Sequence, residues 1–161
     1  MKLEQANRII KNERYCTLVS EIAELEKERI FCKHDMEHFL NVARIAVIIC
    51  SEKGITVDAD IIYSAALLHD IGRGEEYHSG TPHDEAGVVI ASDILDETDC
   101  PAEKKSEIIS LISAHRDGED GKSELEKIFF RADKKSRLCF CCKAKDECNW
   151  SDYKRNNEIG V

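Results

Sequence analysis

The sequence predicts an all-α fold, on three observations. Apolar residues recur at i, i+3, i+4 and i+7 along most of the chain, the mark of a helix with one buried face. Two prolines and eight glycines in 161 residues leave long stretches without a helix breaker. No segment shows a convincing strand pattern, and no internal repeat is visible.

The elements follow in order. Residues 13–30 alternate apolar and charged groups at helical spacing through Leu18, Ile22 and Leu25. Residues 35–51 carry the stripe Phe39, Val42, Ala43, Ala46, Val47, which His38 borders. Asp58 or Asp60 starts the next helix, with Ile61, Ala65 and Leu68 inward and Gly72 as its C-terminal stop. Residues 73–80 read as a loop. Thr81-Pro82 starts a helix at its proline, placing His83 in the first turn ahead of Val88, Ala91, Ile94 and Leu95. Cys100-Pro101 starts another, with Ile108, Leu111, Ile112 and His115 on one face. Asp117–Gly121 is a turn. Ser123 and Glu126 form a capping box ahead of Leu125, Ile128, Phe129 and Ala132, and Asp133 adjoins that face.

Bulk properties narrow the function classes. The length suits one domain with a real core, and 42% apolar residues is ordinary for a soluble protein. A formal net charge of -9 argues against a broad nucleic-acid-binding face, though not against a small basic pocket for a phosphate. The longest plain apolar run, Ile45 to Cys50, falls far short of the ~20 residues that span a bilayer. The first residues lack the apolar core of a signal peptide. These features place the protein in the cytoplasm. There its eight cysteines are free thiols or metal ligands rather than disulfides.

Four short pieces can form one metal site: His38, the pair His69-Asp70, and Asp133. Imidazole nitrogens and carboxylate oxygens on packed helices hold divalent metals, which activate water at neutral pH. The His-Asp dipeptide alone is weak, since His34-Asp35 and His83-Asp84 repeat it. Only the second copy follows an apolar helix ending Ala-Ala-Leu-Leu and precedes Ile-Gly. With His38 in His-x-x-x-Val-Ala and Asp133 in Ala-Asp-Lys-x-Ser-Arg, the order resembles the HD superfamily of metal-dependent phosphohydrolases, over residues 34–137. Arg73 stands where lysine is common in that family.

The resemblance implies an HD-domain helical bundle of about six or seven helices. The HD domain would occupy residues 1–137, with a cysteine-containing segment, 138–161, packed on it, and the polar tail from Trp150 to Val161 packing through Trp150 and Tyr153. His83 in His-x-x-x-Gly and His115 in Leu-Ile-Ser-Ala-His-Arg are similar to the binuclear subgroup. The implied ligands are then His38, His69, Asp70, His83, His115 and Asp133, with Asp70 bridging; His83 and His115 could instead only line the pocket. The histidines favour one or two transition-metal ions (Mn, Fe, Co, Ni or Zn) over magnesium.

The implied activity is phosphohydrolysis by metal-activated water. The substrate would be a nucleotide or a related phosphoester or phosphoanhydride. A cyclic dinucleotide fits less well, because Gly-Tyr-Pro is missing after His115. Beside Asp70, Arg73 is the first choice for gripping phosphate, with Lys134 and Arg137 also near the motifs; all three could instead pair with surface carboxylates. His34, four residues before His38, could shuttle a proton or touch substrate, or be an exposed helix-start residue. His78 has no supporting context. The alternatives are an HD-fold di-iron oxygenase and a non-catalytic nucleotide-binding regulatory module; a homodimer is compatible with all three. Finally, Cys139, Cys142 and Cys148, with Cys32 as a possible fourth, could hold zinc or an iron–sulfur centre, or remain reduced thiols.

Overall fold

The computed structural model describes residues 2–116 and 122–160; the turn expected at 117–121 lies outside them. The described chain is helical, with eight α-helices and two short 3-10 turns. They are α1 (Glu4–Ile9), α2 (Glu13–Leu25), α3 (Met36–Glu52), α4 (Ala59–Leu68), α5 (Arg73–Ser79), α6 (His83–Glu97), α7 (Ala102–Ala114) and α8 (Glu124–Lys135). The 3-10 turns, Cys139–Cys141 and Lys145–Glu147, follow α8. None of these helices is long and apolar enough to cross a membrane.

Helix α4 is the central post. From Ile61 to Leu68 only Tyr63 escapes full burial, as expected for a helix apolar on every side. It is flanked by α1, α3 and α7, while α8 lies across α3 and α7. Helix α6 joins α7 to α5, and α5 leans on α2. The central packing delivers the end of α4 to the middle of the molecule, and the His-Asp pair follows at once.

Local chemistry sets the boundaries. Asp35 caps α3 by accepting from the His38 backbone N–H at 2.9 Å, so the first His-Asp dipeptide is a helix start. Asp58 caps α4 through the Asp60 N–H. Both halves of the Ser123–Glu126 capping box are present on α8. Asn12 caps α2, which stops at Leu25 rather than reaching residue 30.

Three expectations need correction. Residues 73–80 are not a loop: α5 occupies Arg73–Ser79, because Gly80 at φ +79° closes a turn of helix the short polar run had hidden. Pro82 and Pro101 sit one residue before their helices rather than inside the first turn. Gly72 does not stop α4. It precedes α5 with φ -78°, and its lack of a side chain serves packing. A Cβ there would run into the His83 carbonyl oxygen and come within 2.5 Å of the Gly87 amide nitrogen. The turn after His69-Asp70 and the start of α6 thus touch backbone to backbone.

Helix α1 had no sequence signature. The backbone N–H groups of Gln5 and Ala6 both donate to the buried Asp60 carboxylate, at 2.9 Å each, and Lys104 balances its charge at 3.0 Å. A carboxylate held by a helix N-terminus is favourable there.

Gly72→Ala should destabilise the protein by about 1–3 kcal/mol, since backbone must give way. Gly80→Ala meets open space and carries only the left-handed backbone cost of about 1–2 kcal/mol. Urea denaturation of both variants checks this; the prediction also requires Gly72→Ala, and not Gly80→Ala, to disturb the His83 ring in NMR spectra.

Candidate metal centre

Five histidines and two aspartates meet where α3, α4, α6, α7 and α8 converge. His38 comes from the first turn of α3, His69-Asp70 from the turn after α4, His83 from the first residue of α6, His115 from the end of α7, and Asp133 from the last turn of α8. His34 stands just ahead of α3. All seven are buried.

The ligand atoms fall into two sets that share one residue. His38, His69, Asp70 and Asp133 each offer an atom within 4.8 Å of the others, and so do Asp70, His83 and His115. Asp70 uses different oxygens for the two sets. Its Oδ2 lies 2.9 Å from His69 Nε2 and 3.5 Å from His38 Nε2. Its Oδ1 lies 3.6 Å from His83 Nε2 and 4.0 Å from His115 Nε2. Within the sets, the His38 and His69 Nε2 atoms are 3.3 Å apart, and those of His83 and His115 are 3.4 Å apart.

Each ring is held from behind through Nδ1. His69 donates to the Ala66 carbonyl at 2.8 Å and His115 to the Ile112 carbonyl at 2.5 Å. His83 has the Glu76 carboxylate at 3.0 Å. His38 has Ser136 Oγ at 2.9 Å; that hydroxyl spends its own proton on the Asp133 carbonyl at 2.7 Å, so it accepts from His38. These acceptors place the proton on Nδ1 and aim the Nε2 lone pair inward, the arrangement a metal-ligating histidine needs.

The residues fit a transition metal: imidazole nitrogens and carboxylate oxygens, buried, convergent and tautomerically prepared. A further sign is Asp133 Oδ1, which is buried with no hydrogen-bond partner among the described residues. Its neighbours include His38 Nε2 at 3.3 Å and His69 Nε2 at 3.7 Å.

A model of the HD domain family matches residues 35–138. The chain belongs to the HD domain family. An uncharacterized protein of Clostridium beijerinckii is 41% identical over 158 residues, covering 98% of this HD protein and 99% of that one. Ribonuclease Y 1 of Pediococcus pentosaceus is 28% identical over 101 residues, 63% of this chain, which spans only 18% of that longer protein. The fold is similar to the crystal structure of a predicted HD superfamily hydrolase from an uncultured Thermotogales bacterium, with TM-score 0.63 and 24% identity over 90% of this chain and 80% of that one.

Electrostatics in the HD site follow from burial against charge. Burial opposes charge on His69, but Asp70 and Asp133 outweigh it and raise its pKa to about 9, so a metal ion at its Nε2 would take the place of a proton. Burial dominates at His38, lowering it to about 4 with help from Arg137, and burial with the neighbouring His69 lowers His115 to about 4. Burial would raise both Asp70 and Asp133. The cationic groups prevail, holding Asp70 (chiefly His69 and His34) and Asp133 (chiefly Lys134 and His69) well below the usual carboxylate range.

The flanking cations are distributed differently from expectation. Arg73 Nε reaches Asp70 Oδ1 at 3.2 Å and its Nη1 reaches Glu76 at 2.8 Å. Lys134 lies 2.5 Å from Asp133 Oδ2. Arg137 penetrates deepest: its Nη2 is 2.8 Å from His38 Nε2, while its Nε has no hydrogen-bond partner among the described residues. All three line an open cavity of about 590 Å³ above the cluster.

His34 is buried, so its reading as an exposed helix-start residue does not hold. Its Nε2 stands 3.8 Å from Asp70 Oδ2. Its Nδ1 meets Glu26 Oε1 at 2.5 Å, and its backbone N–H donates to Oε2 of the same carboxylate at 2.7 Å. Tyr77 donates to Glu26 at 2.6 Å. Glu26 was missed by sequence reasoning: it lies just past α2, beyond any motif. His78 is exposed and pairs with Glu21 at 2.7 Å, away from the centre.

Burial would raise Glu26, yet the hydrogen bond and charge of His34 with the Tyr77 hydroxyl lower it to about 2 from an ordinary 4.5. A depressed carboxylate contributes stability above its unfolded pKa and loses it as pH falls through the folded value. Stability should therefore decline between pH 4.5 and about 2. Glu26→Gln should lower stability at neutral pH and flatten the decline in that window, as read from urea midpoints across the pH range.

Proposed function

We propose that this HD protein is a metal-dependent hydrolase of phosphate esters or anhydrides on a nucleotide or a related small phosphorylated molecule. The observation that carries the reading is Asp70, which turns one oxygen to each of two histidine sets on the floor of an open, cation-lined cavity. Residues 1–137 would hold the centre, and 138–161 would complete the cavity rim.

His38, His69, Asp70 and Asp133 would hold one transition-metal ion, and Asp70, His83 and His115 a second. Bound there, such ions supply Lewis acidity and an activated water for attack on phosphorus. The protein's own groups do the rest. Arg137 and Arg73 orient the phosphoryl oxygens by charge-assisted hydrogen bonds. His34, fixed by Glu26 through Nδ1, presents Nε2 to the cavity and can give a proton to the departing oxygen. The name of the ribonuclease Y relatives denotes cleavage of a phosphodiester, which supports the reaction class. The net charge of -9 favours a small substrate over a nucleic-acid chain.

His69→Ala and Asp70→Ala should each lose at least ~100-fold in phosphate release from generic phosphoesters while keeping helical circular dichroism. His34→Gln should lower kcat by ~100-fold or more with metal content unchanged. Manganese-loaded variants as active as the parent, or iron-dependent oxygen uptake without phosphate release, would contradict the proposal.

A further inference from the structure

The cysteine segment is not absorbed by the proposed reaction. All eight cysteines are free. Four of them come from distant parts of the chain to one flank of the site. Cys32 lies in the connection between α2 and α3, two residues before His34. Cys139 and Cys142 bracket a 3-10 turn after α8, with the Cys142 N–H donating to the Cys139 carbonyl at 3.3 Å. Cys148 ends the second 3-10 turn in the same way, donating to the Lys145 carbonyl at 3.3 Å.

Cys32 is the meeting point. It lines the catalytic cavity together with Cys148, and a neighbouring cavity of about 300 Å³ together with Cys139, Cys141 and Cys142. Its thiol also senses them: burial raises its pKa, Arg137 lowers it, and Cys139, Cys142 and Cys148 raise it again. Cys141 shares that cavity but is exposed, and its thiol is directed at the Leu138 carbonyl at 3.5 Å.

The spacing bears on the ligand. A single tetrahedral zinc with Zn–S near 2.3 Å draws its sulfurs to about 3.8 Å from one another. Among the described residues, the sets whose ligand atoms lie within 4.8 Å are the two His/Asp sets, and no cysteine belongs to either. No three of these four thiols fall within 4.8 Å of one another, which suits a larger inorganic core held by four cysteines.

We propose that Cys32, Cys139, Cys142 and Cys148 ligate an iron–sulfur cluster that fastens the C-terminal segment to the loop bearing His34. Tyr153, expected to pack, is 73% exposed, while Trp150 lies against Lys134 and the buried Asn156 donates to the Lys135 and Arg137 carbonyls at 2.8 Å. A cluster would fix Cys148 and with it the cavity wall at Trp150.

The test is acid-labile sulfide and iron per chain in the full-length protein, purified without oxygen and reconstituted with ferrous iron and sulfide. Sulfide and visible charge-transfer absorption should be present in the parent, Cys141→Ser and His69→Ala proteins, and fall at least ~10-fold in Cys32→Ser and Cys139→Ser. Retention in His69→Ala separates this centre from the histidine site. Should the two cysteine variants not fold, sulfide in the parent and in Cys141→Ser still decides. Zinc without sulfide would overturn the cluster, and failure of the parent to take up sulfide-bound iron would overturn it equally.

Discussion

The Asp70 carboxylate is the constraint on which the rest of this structure depends. It is buried, ionised and divided between two groups of histidines. A bare carboxylate at that depth would be severely penalised, so the surroundings must answer its charge. His69, His34, Arg73 and Arg137 do so from four directions. The helices that carry these groups are also those that pack on α4 or on its neighbours, so building the core and assembling the centre are one event.

The second tier explains why the rings do not wander. Four Nδ1 contacts, to Ala66, Ile112, Glu76 and Ser136, prepare four Nε2 atoms to face inward. Two of these anchors are backbone carbonyls one helical turn behind the histidine, available because His69 and His115 each end a helix. A fifth, Glu26, does the same for His34, which leaves that ring outside both ligand sets but aimed at the same cavity. Geometry thus divides the five histidines of the centre into four that belong to the two ligand sets and one, His34, that stands outside both.

Much of this was legible in the sequence. The helical period located α3, α4, α6, α7 and α8, and the capping residues Asp35, Asp58 and Ser123 behave as their chemistry dictates. The six residues expected to meet do meet, because each sits at or near a helix terminus and helix ends can be aimed at a common point. What stayed hidden depends on tertiary contact. Helix α5 has no apolar stripe. Glu26 becomes meaningful only when His34 folds back on it, and Asp60 only when α1 docks. Gly72 reads as a helix stop until the backbone of α6 is seen against it. Arg137 was less conspicuous than Arg73, yet it reaches His38 because it lies one turn beyond Asp133.

That Asp70 would join two metal subsites is our proposal. It is tested most directly by anomalous diffraction from crystals soaked in manganese. Two anomalous peaks are expected on either side of the Asp70 carboxylate, one against His38, His69 and Asp133 and the other against His83 and His115. A peak elsewhere in the molecule with neither subsite filled, or a single peak that Asp70 does not touch, would contradict it.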